Sequence, residues 1–309
     1  MTILHTVFCD YLHGLHSVCI IQFFLLSREQ KPFSVFSVWD RMSFQKVGPF
    51  EIFGWSVAGN ETCVAVRKNG KVFGFDIGFS PRPLVLADYI FISHGHADHI
   101  GAITQHMKKR ALNGLRGATY FMPKHLVPHV KAVCDSFTAM AEKHDSDFVG
   151  TFIPVEPGNR FELSDGWRVV SFSTYHSIIS VGYLLYYRDP NGTEVPEIAY
   201  LGDSRFTVIH EANSICPDLL STQLLIMEAT FLDNPDRRIE SARNRGHTHL
   251  DEIRQNASLL KSVDYIYLIH FSDRYSYNDI IRLCYKDMPD WLVNRIVPSV
   301  TAKRCLESR

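Results

Sequence analysis

The sequence predicts a mixed α/β (α+β) chain in which two sheets stack and helices lie outside them. Three observations lead there. Short apolar runs bounded by Gly and Asn turns recur from Phe50 onward, in two β-rich halves. Segments with apolar residues at helical spacing lie between them. Strand after strand ends in a lone His, Asp or Glu: His94, His176, Asp203, Glu228 and His270. Polar residues that end different strands can converge on one sheet edge, a common place for a site.

Taken in order, Ile52 to Val57, Thr62 to Val66 and Val72 to Asp76 read as strands, broken by turns at Gly59-Asn60 and Asn69-Gly70. Tyr89 to Ser93 is the next strand, and Ile100 to Leu112 reads as a helix with Lys108, Lys109 and Arg110 near its end, where cations suit the helix dipole. Ala118 to Met122 is a strand. Lys124 to Lys143 is a second helix, with Leu126, Val130, Val133, Phe137 and Met140 expected in the core. Val169 to Thr174 and Val181 to Tyr187 are strands flanking His176, and Asp189 to Gly192 is a turn. Ile198 to Leu201, Leu224 to Met227 and Tyr265 to Ile269 complete the strands, Leu250 to Leu260 is a helix, and Tyr277 to Tyr285 a closing helix.

A length of 309 residues with 46% hydrophobic and 21% charged residues fits a globular protein with a substantial core. The net charge of −1 argues against a globally basic nucleic-acid binder and leaves a local basic patch open. Seven scattered cysteines with no C-x-x-C argue against a disulfide framework or thiolate zinc site, and for a reducing compartment, cytoplasmic or nuclear. Residues 1–41 read as an N-terminal extension. Its apolar stretch from Leu15 to Leu26 is too short to span a bilayer, which needs roughly 20 apolar residues. No membrane partner is expected. One well-patterned domain is expected over 42–300, with 301–309 as a C-terminal tail.

The densest chemistry is Ser93-His94-Gly95-His96-Ala97-Asp98-His99, where three imidazoles and a carboxylate fall within six residues at a strand end. Neutral imidazole and carboxylate are ligands that zinc and its neighbours accept. Asp98 and His99 cannot easily point the same way as His94 and His96, so two adjoining metal sites are expected. Asp76, by spacing alone, reads as a turn residue.

The order Asp-x-Gly, H-x-H-x-D-H, isolated His, Gly-Asp and final His resembles the metallo-β-lactamase superfamily. More narrowly, Gly202-Asp203-Ser204, Met227-Glu228-Ala229-Thr230-Phe231, Gly246-His247 and His270-Phe271-Ser272-Asp273-Arg274-Tyr275 are similar to the short form of ribonuclease Z (tRNase Z), an endonuclease of tRNA 3′ ends. The resemblance implies a four-layer αββα sandwich. It implies one zinc on His94, His96 and His176, a second on Asp98, His99 and His270, and Asp203 bridging; manganese or iron could replace zinc. Asp76 would support these ligands by hydrogen bonding. His247 would be the general acid, with Glu228 orienting and charging it. The implied substrate is a tRNA precursor, cut to leave a tRNA 3′-hydroxyl, and the implied assembly a homodimer.

Other roles stay open at this stage. His249 rivals His247 or starts a helix. Arg274 contacts phosphate or forms a salt bridge. The family's flexible arm between the isolated His and Gly-Asp has little room here, because His176 and Asp203 are 27 residues apart. Either Lys108, Lys109, Arg237, Arg238, Arg243 and Arg245 help to hold tRNA, or the substrate is a small phosphodiester.

Overall fold

The computed structural model describes residues 43–143 and 148–307, and the extension 1–41 with its apolar stretch lies outside them. Two seven-stranded sheets are formed, each in chain order. The first holds β1 (Gln45–Val47), β2 (Phe50–Val57), β3 (Glu61–Lys68), β4 (Lys71–Phe75), β5 (Tyr89–Phe91), β6 (Ala118–Pro123) and β7 (Gly150–Val155). The second holds β8 (Arg160–Glu162), β9 (Trp167–Ser173), β10 (Val181–Arg188), β11 (Glu194–Tyr200), β12 (Leu224–Glu228), β13 (Tyr265–Ile269) and β14 (Ile296–Pro298). The helices are α1 (Arg82–Val85), α2 (Ala97–Ile100), α3 (Ile103–Leu112), α4 (Leu126–Met140), α5 (Thr207–His210), α6 (Ala212–Ile215), α7 (Pro235–Asn244), α8 (Leu250–Gln255), α9 (Tyr277–Tyr285), α10 (Asp290–Val293) and α11 (Thr301–Leu306).

Three apolar clusters separate four layers, as the αββα expectation requires. Strand side chains alternate between faces, and most strands are apolar on both. Phe73, Phe91 and Phe121 of the first sheet meet Trp167, Tyr183 and Tyr267 of the second in the middle core. The opposite faces, through Ile90 and Tyr120, pack on Ile103 and Met107 of α3, Val130 of α4 and Ala302 of α11. On the far side Leu184, Leu225 and Leu268 pack on Val208, Ile253 and Ile280. Strands β4–β7 are mutually parallel, as are β11–β14. Their buried faces on both sides suit that arrangement.

Several elements differ from the sequence expectation. The helix expected from Ile100 to Leu112 is two helices: α2 contains Asp98 and His99, and the chain turns at Gly101-Ala102 before α3. Tyr277–Tyr285 is helical but does not close the chain, because α10, β14 and α11 follow. Thr301–Leu306, placed in a tail by sequence, is a helix with Ala302 and Lys303 buried. On α4 the inward line is Val130 and Cys134, one turn apart. That rotates Val133, Phe137 and Met140 outward, 44%, 44% and 68% exposed, so they are not the core contacts expected of them.

Candidate metal centre and catalytic site

The parallel strands bring their C-terminal ends to one edge of each sheet. Strand β9 runs with β11, since two antiparallel pairings separate them. Asp76, His94, His176, Asp203, Glu228 and His270 therefore leave from matching ends, and the two edges are joined there. Ala58 N–H donates to Phe271 O at 3.1 Å, and Val181 N–H to Ser93 O at 3.0 Å. The chain turns sharply to aim these side chains. Asp76 and His270 have φ of +53° and +63°, a left-handed conformation uncommon for non-glycine residues. Gly202 has φ +60°, and a Cβ there would sit 2.5 Å from Ser93 Cβ.

Two groups of ligand atoms form. In the first, His94 Nε2 is 3.0 Å from His96 Nδ1, which is 3.2 Å from His176 Nε2. In the second, His270 Nε2 is 3.3 Å from His99 Nε2 and 3.3 Å from Asp98 Oδ2. Asp203 Oδ2 stands between them, 3.3 Å from His99 and His270 and 3.9 Å from His94. Ligand atoms around a tetrahedral zinc at about 2.0–2.1 Å lie about 3.3 Å apart, so the spacing fits cations at both groups. Asp203 Oδ1 is buried without a hydrogen-bond partner, as suits an oxygen able to act as a cation ligand.

The outward nitrogens decide which lone pairs point inward. His99 Nδ1–H donates to Asp76 Oδ2 at 2.6 Å, and His176 Nδ1–H to Gly246 O at 3.0 Å. Ser93 Oγ gives its own proton to Asp76, at 2.8 Å, and so accepts from His94 Nδ1 at 2.9 Å. Thr230 Oγ1 gives its proton to Glu228 and accepts from His270 Nδ1 at 3.0 Å. All four Nε2 atoms then face the cluster, and each offers its lone pair when its ring is neutral, the form a metal needs. Asp76, fully buried, also accepts from Ser93 N at 2.7 Å and from Tyr200 OH.

Charge follows the same logic. Burial pushes the pKa values of His94 and His176 down, keeping both rings neutral. Burial opposes a charge on Asp98, but His270 and His99 outweigh it and hold that carboxyl far below the usual range. Asp203 is held low too, against burial, by His270 and His99. Burial also opposes charge on His99, yet Asp203 and Asp76 raise its pKa well above normal. A proton there would compete with a cation for the same nitrogen.

Beside this cluster, His247 Nδ1–H donates to Glu228 Oε1 at 2.9 Å. The same Oε1 accepts Ser204 N at 2.9 Å, so Glu228 is fixed at both oxygens. Burial would lower the pKa of His247, but Glu228 reverses this and raises it to about 9. The His247 ring lies 5.2 Å from His176 and 5.3 Å from His270. Gly246 is left-handed at φ +82°, and a Cβ there would meet His176 Nδ1 at 2.7 Å. His249 is not at the centre: it caps α8, accepting from Asp251 N in a capping box. Arg274 is exposed, donates to Ser272 Oγ at 3.1 Å and makes no ion pair among the described residues.

Of the basic residues singled out by sequence, Arg238 pairs with Asp233 at 2.9 Å, Arg243 with Glu252 at 2.7 Å, and Lys109 donates to Ser80 O at 2.5 Å. Arg237 and Arg245 are exposed and unpaired among the described residues. Sequence reasoning missed Ser93, Tyr200, Ser204 and Thr230 as supports of the site. Ser93, Ser204 and Thr230 sat within motifs that drew attention, and Tyr200 only within a strand.

Two sheets carrying adjoining imidazole–carboxylate groups at their shared edge define the class of metal-dependent hydrolases with the β-lactamase fold. The family model of the beta-lactamase superfamily domain matches residues 76–271, and the chain belongs to that superfamily. Chloroplastic tRNase Z TRZ2 of Arabidopsis thaliana is 31% identical over 256 residues, covering 75% of this chain and 70% of the relative. tRNase Z TRZ1 of the same plant is 29% identical over 267 residues, covering 78% and 92%. Within the superfamily, the chain is a member of the tRNase Z family. The crystal structure of the short form of human tRNase Z shares the fold, with a TM-score of 0.54 at 20% identity over 72% of this chain and 93% of that one.

Proposed function

We propose that this protein is an endoribonuclease that removes 3′ trailers from tRNA precursors and leaves a tRNA 3′-hydroxyl. The observation that carries the reading is the joint geometry of the edge: two sets of inward lone pairs, with a carboxylate-charged imidazole beside them. Two cations, zinc or else manganese or iron, would be held by His94, His96 and His176 and by Asp98, His99 and His270, with Asp203 between. When bound they supply an activated water near neutral pH and offset phosphate charge. Asp76 holds the His99 ring and, through Ser93, the His94 ring. His247 gives its proton to the departing 3′-oxygen of the tRNA body, and Glu228 keeps that proton available at neutral pH.

The tRNA body would lie on the His247 side. Helix α7 leads into Gly246-His247 and carries exposed Arg237, with Arg245 just after it and Arg274 nearby in the loop after His270. Such groups grip phosphate without reading sequence. The free thiols of Cys63, Cys134, Cys216, Cys284 and Cys305 support a cytoplasmic or nuclear setting. Among the described residues, no helix is long and apolar enough to cross a membrane. The outward Val133, Phe137 and Met140 of α4 support a homodimer, since contiguous exposed apolar surface marks association sites.

One observation favours a second reading, hydrolysis of a small phosphodiester. The interval after His176 is filled by β10, β11 and a tight turn in which Asp189 Oδ1 accepts from Asn191 N and Thr193 N, leaving no arm. Incubation with a trailer-bearing tRNA precursor separates the two. The expected result is one cut at the tRNA 3′ end, leaving a 3′-hydroxyl and a 5′-phosphorylated trailer, with binding that weakens steeply as salt rises. Turnover of a small phosphodiester without any cut in the precursor would overturn the tRNA reading.

A further inference from the structure

A cleft of about 460 Å³ opens beside the metal cluster and takes no part in the chemistry above. Apolar Pro123, Val155, Pro157 and Ile179 line it, with Lys124, His125 and the acidic Glu156 among them. Its volume is in the range of small-ligand sites, and an apolar lining with few polar groups is typical of them. Ile179, three residues after His176, is 66% exposed and gains nothing from that position in the folded chain alone.

The place of the cleft in the sheets gives it a direction. Pro123 ends β6, with Lys124 just after it, and Val155 ends β7, one and two strands beyond β5, whose end leads into His94 and His96. At about 4.8 Å per strand, the cleft begins within roughly 5–10 Å of those histidines. In the second sheet its wall comes from the segment between β9 and β10, whereas Glu228 lies on β12. In the second sheet β10 and β11 therefore separate the cleft from Glu228, and His247, paired with Glu228, reaches the β9–β10 segment at His176, three residues short of Ile179. A strand that places its departing 3′-oxygen at His247 continues past the cluster toward the cleft.

We propose that this cleft binds the first unpaired nucleotides of the trailer, 3′ of the cut. The inference rests on the tRNA-processing reading and adds the path of the trailer to it. An unstacked base lies on the apolar wall and the His125 ring, as single-stranded RNA does on ring and aliphatic platforms. Lys124 faces the backbone phosphate; its exposed 3.4 Å pair with Glu156 is weak enough to be exchanged for it.

The test compares three precursors: one with an ordinary trailer, one lacking the bases of the first two trailer nucleotides, and one lacking the base of the last tRNA nucleotide. Stacking of one base in the cleft, about 1–3 kcal/mol, predicts a loss of roughly fivefold to over a hundredfold in kcat/KM when the trailer bases are removed. The double variant His125→Ala, Ile179→Ser should cut the ordinary and trailer-abasic precursors at similar, slow rates, with an unchanged thermal melting profile. Indifference of the unsubstituted protein to trailer bases overturns the proposal. So does a double variant that keeps the preference, or one that instead loses a preference at the last tRNA nucleotide. A second arm needs no cleavage: a 5′-phosphorylated trinucleotide labelled at its 3′ end should bind the unsubstituted protein more tightly than the double variant. Equal binding, or none to either, overturns the cleft assignment. Absence of precursor cleavage with differential trinucleotide binding overturns the tRNA reading alone.

Discussion

His94, His99, His176 and His270 each hold an Nδ1 proton on a neighbour, and the neighbour of His99 also organises Ser93 and Tyr200. That makes Asp76 the side chain whose loss spreads furthest. Asp76→Asn keeps its size but loses a hydrogen-bond acceptor, so His99 and Ser93 lose their fixed orientation. Metal affinity should fall about 10–100-fold, the usual cost of removing such a support, as read by competitive titration against a chelating dye. Unchanged affinity would return Asp76 to an ordinary turn residue. His247→Ala should lower turnover by about 10²–10⁴-fold with metal content intact; a parallel loss of metal would make His247 a ligand instead. The pH dependence follows from the Glu228 pair. A general acid works while protonated, so activity should persist through neutrality and decline as pH rises through the His247 pKa of about 9. Glu228→Gln removes the raising charge and leaves burial, which lowers that pKa. The alkaline limb of kcat/KM should then shift to lower pH, and an unmoved limb would refute the assignment.

Helix α11 shows what the sequence concealed about elements. Lys303 Nζ donates to Asp273 O at 2.7 Å and also pairs with the Asp273 carboxylate. Glu307 accepts from Tyr277 N at 2.9 Å. The helix thus fastens the loop that carries His270 and Arg274. A chain ending at Val300 should melt roughly 5 °C or more lower, since each kcal/mol is worth about 2–4 °C at this size, and should bind less metal on the His99 and His270 side. An unchanged melting temperature would show that the helix is dispensable. Six residues with a buried lysine are too few to give a periodic signal, so such an element is invisible until its partner is known. The same limit explains α4. Its apolar residues are at helical spacing, but spacing does not say which stripe faces inward, and Val130 with Cys134 took that side. The site elements were legible because short apolar strands ending in His, Asp or Glu form a local pattern. Ser93, Tyr200 and Ser204 were not, because a hydroxyl or amide gains its meaning only from the partner the fold supplies.

Across the whole molecule, the exposed Val133, Phe137 and Met140 lead to a prediction about assembly. Phe137→Glu places a charge in that patch while leaving the inward Val130 and Cys134 in place, so it should yield monomers by sedimentation while secondary structure is retained. A monomeric unsubstituted protein would refute the proposed homodimer. The layered architecture was legible from alternating strands and helices, and the chain order of both sheets makes it simple to build. What sequence could not give is how two separate edges join, since that depends on contacts such as Ala58 with Phe271.

That joining also sets a schedule. His99 and His270 are 171 residues apart in the chain yet 3.3 Å apart when folded. At a synthesis rate of about 5–20 residues per second, the early histidines wait on the order of ten to thirty seconds for their late partner. During that interval the growing chain offers an incomplete set of ligands, open to whichever cation is abundant. If the proposed cations bind, full loading is a late event, and messages truncated ahead of His270 would yield chains that lack a member of the second group. Activity becomes a report that translation reached the final strands.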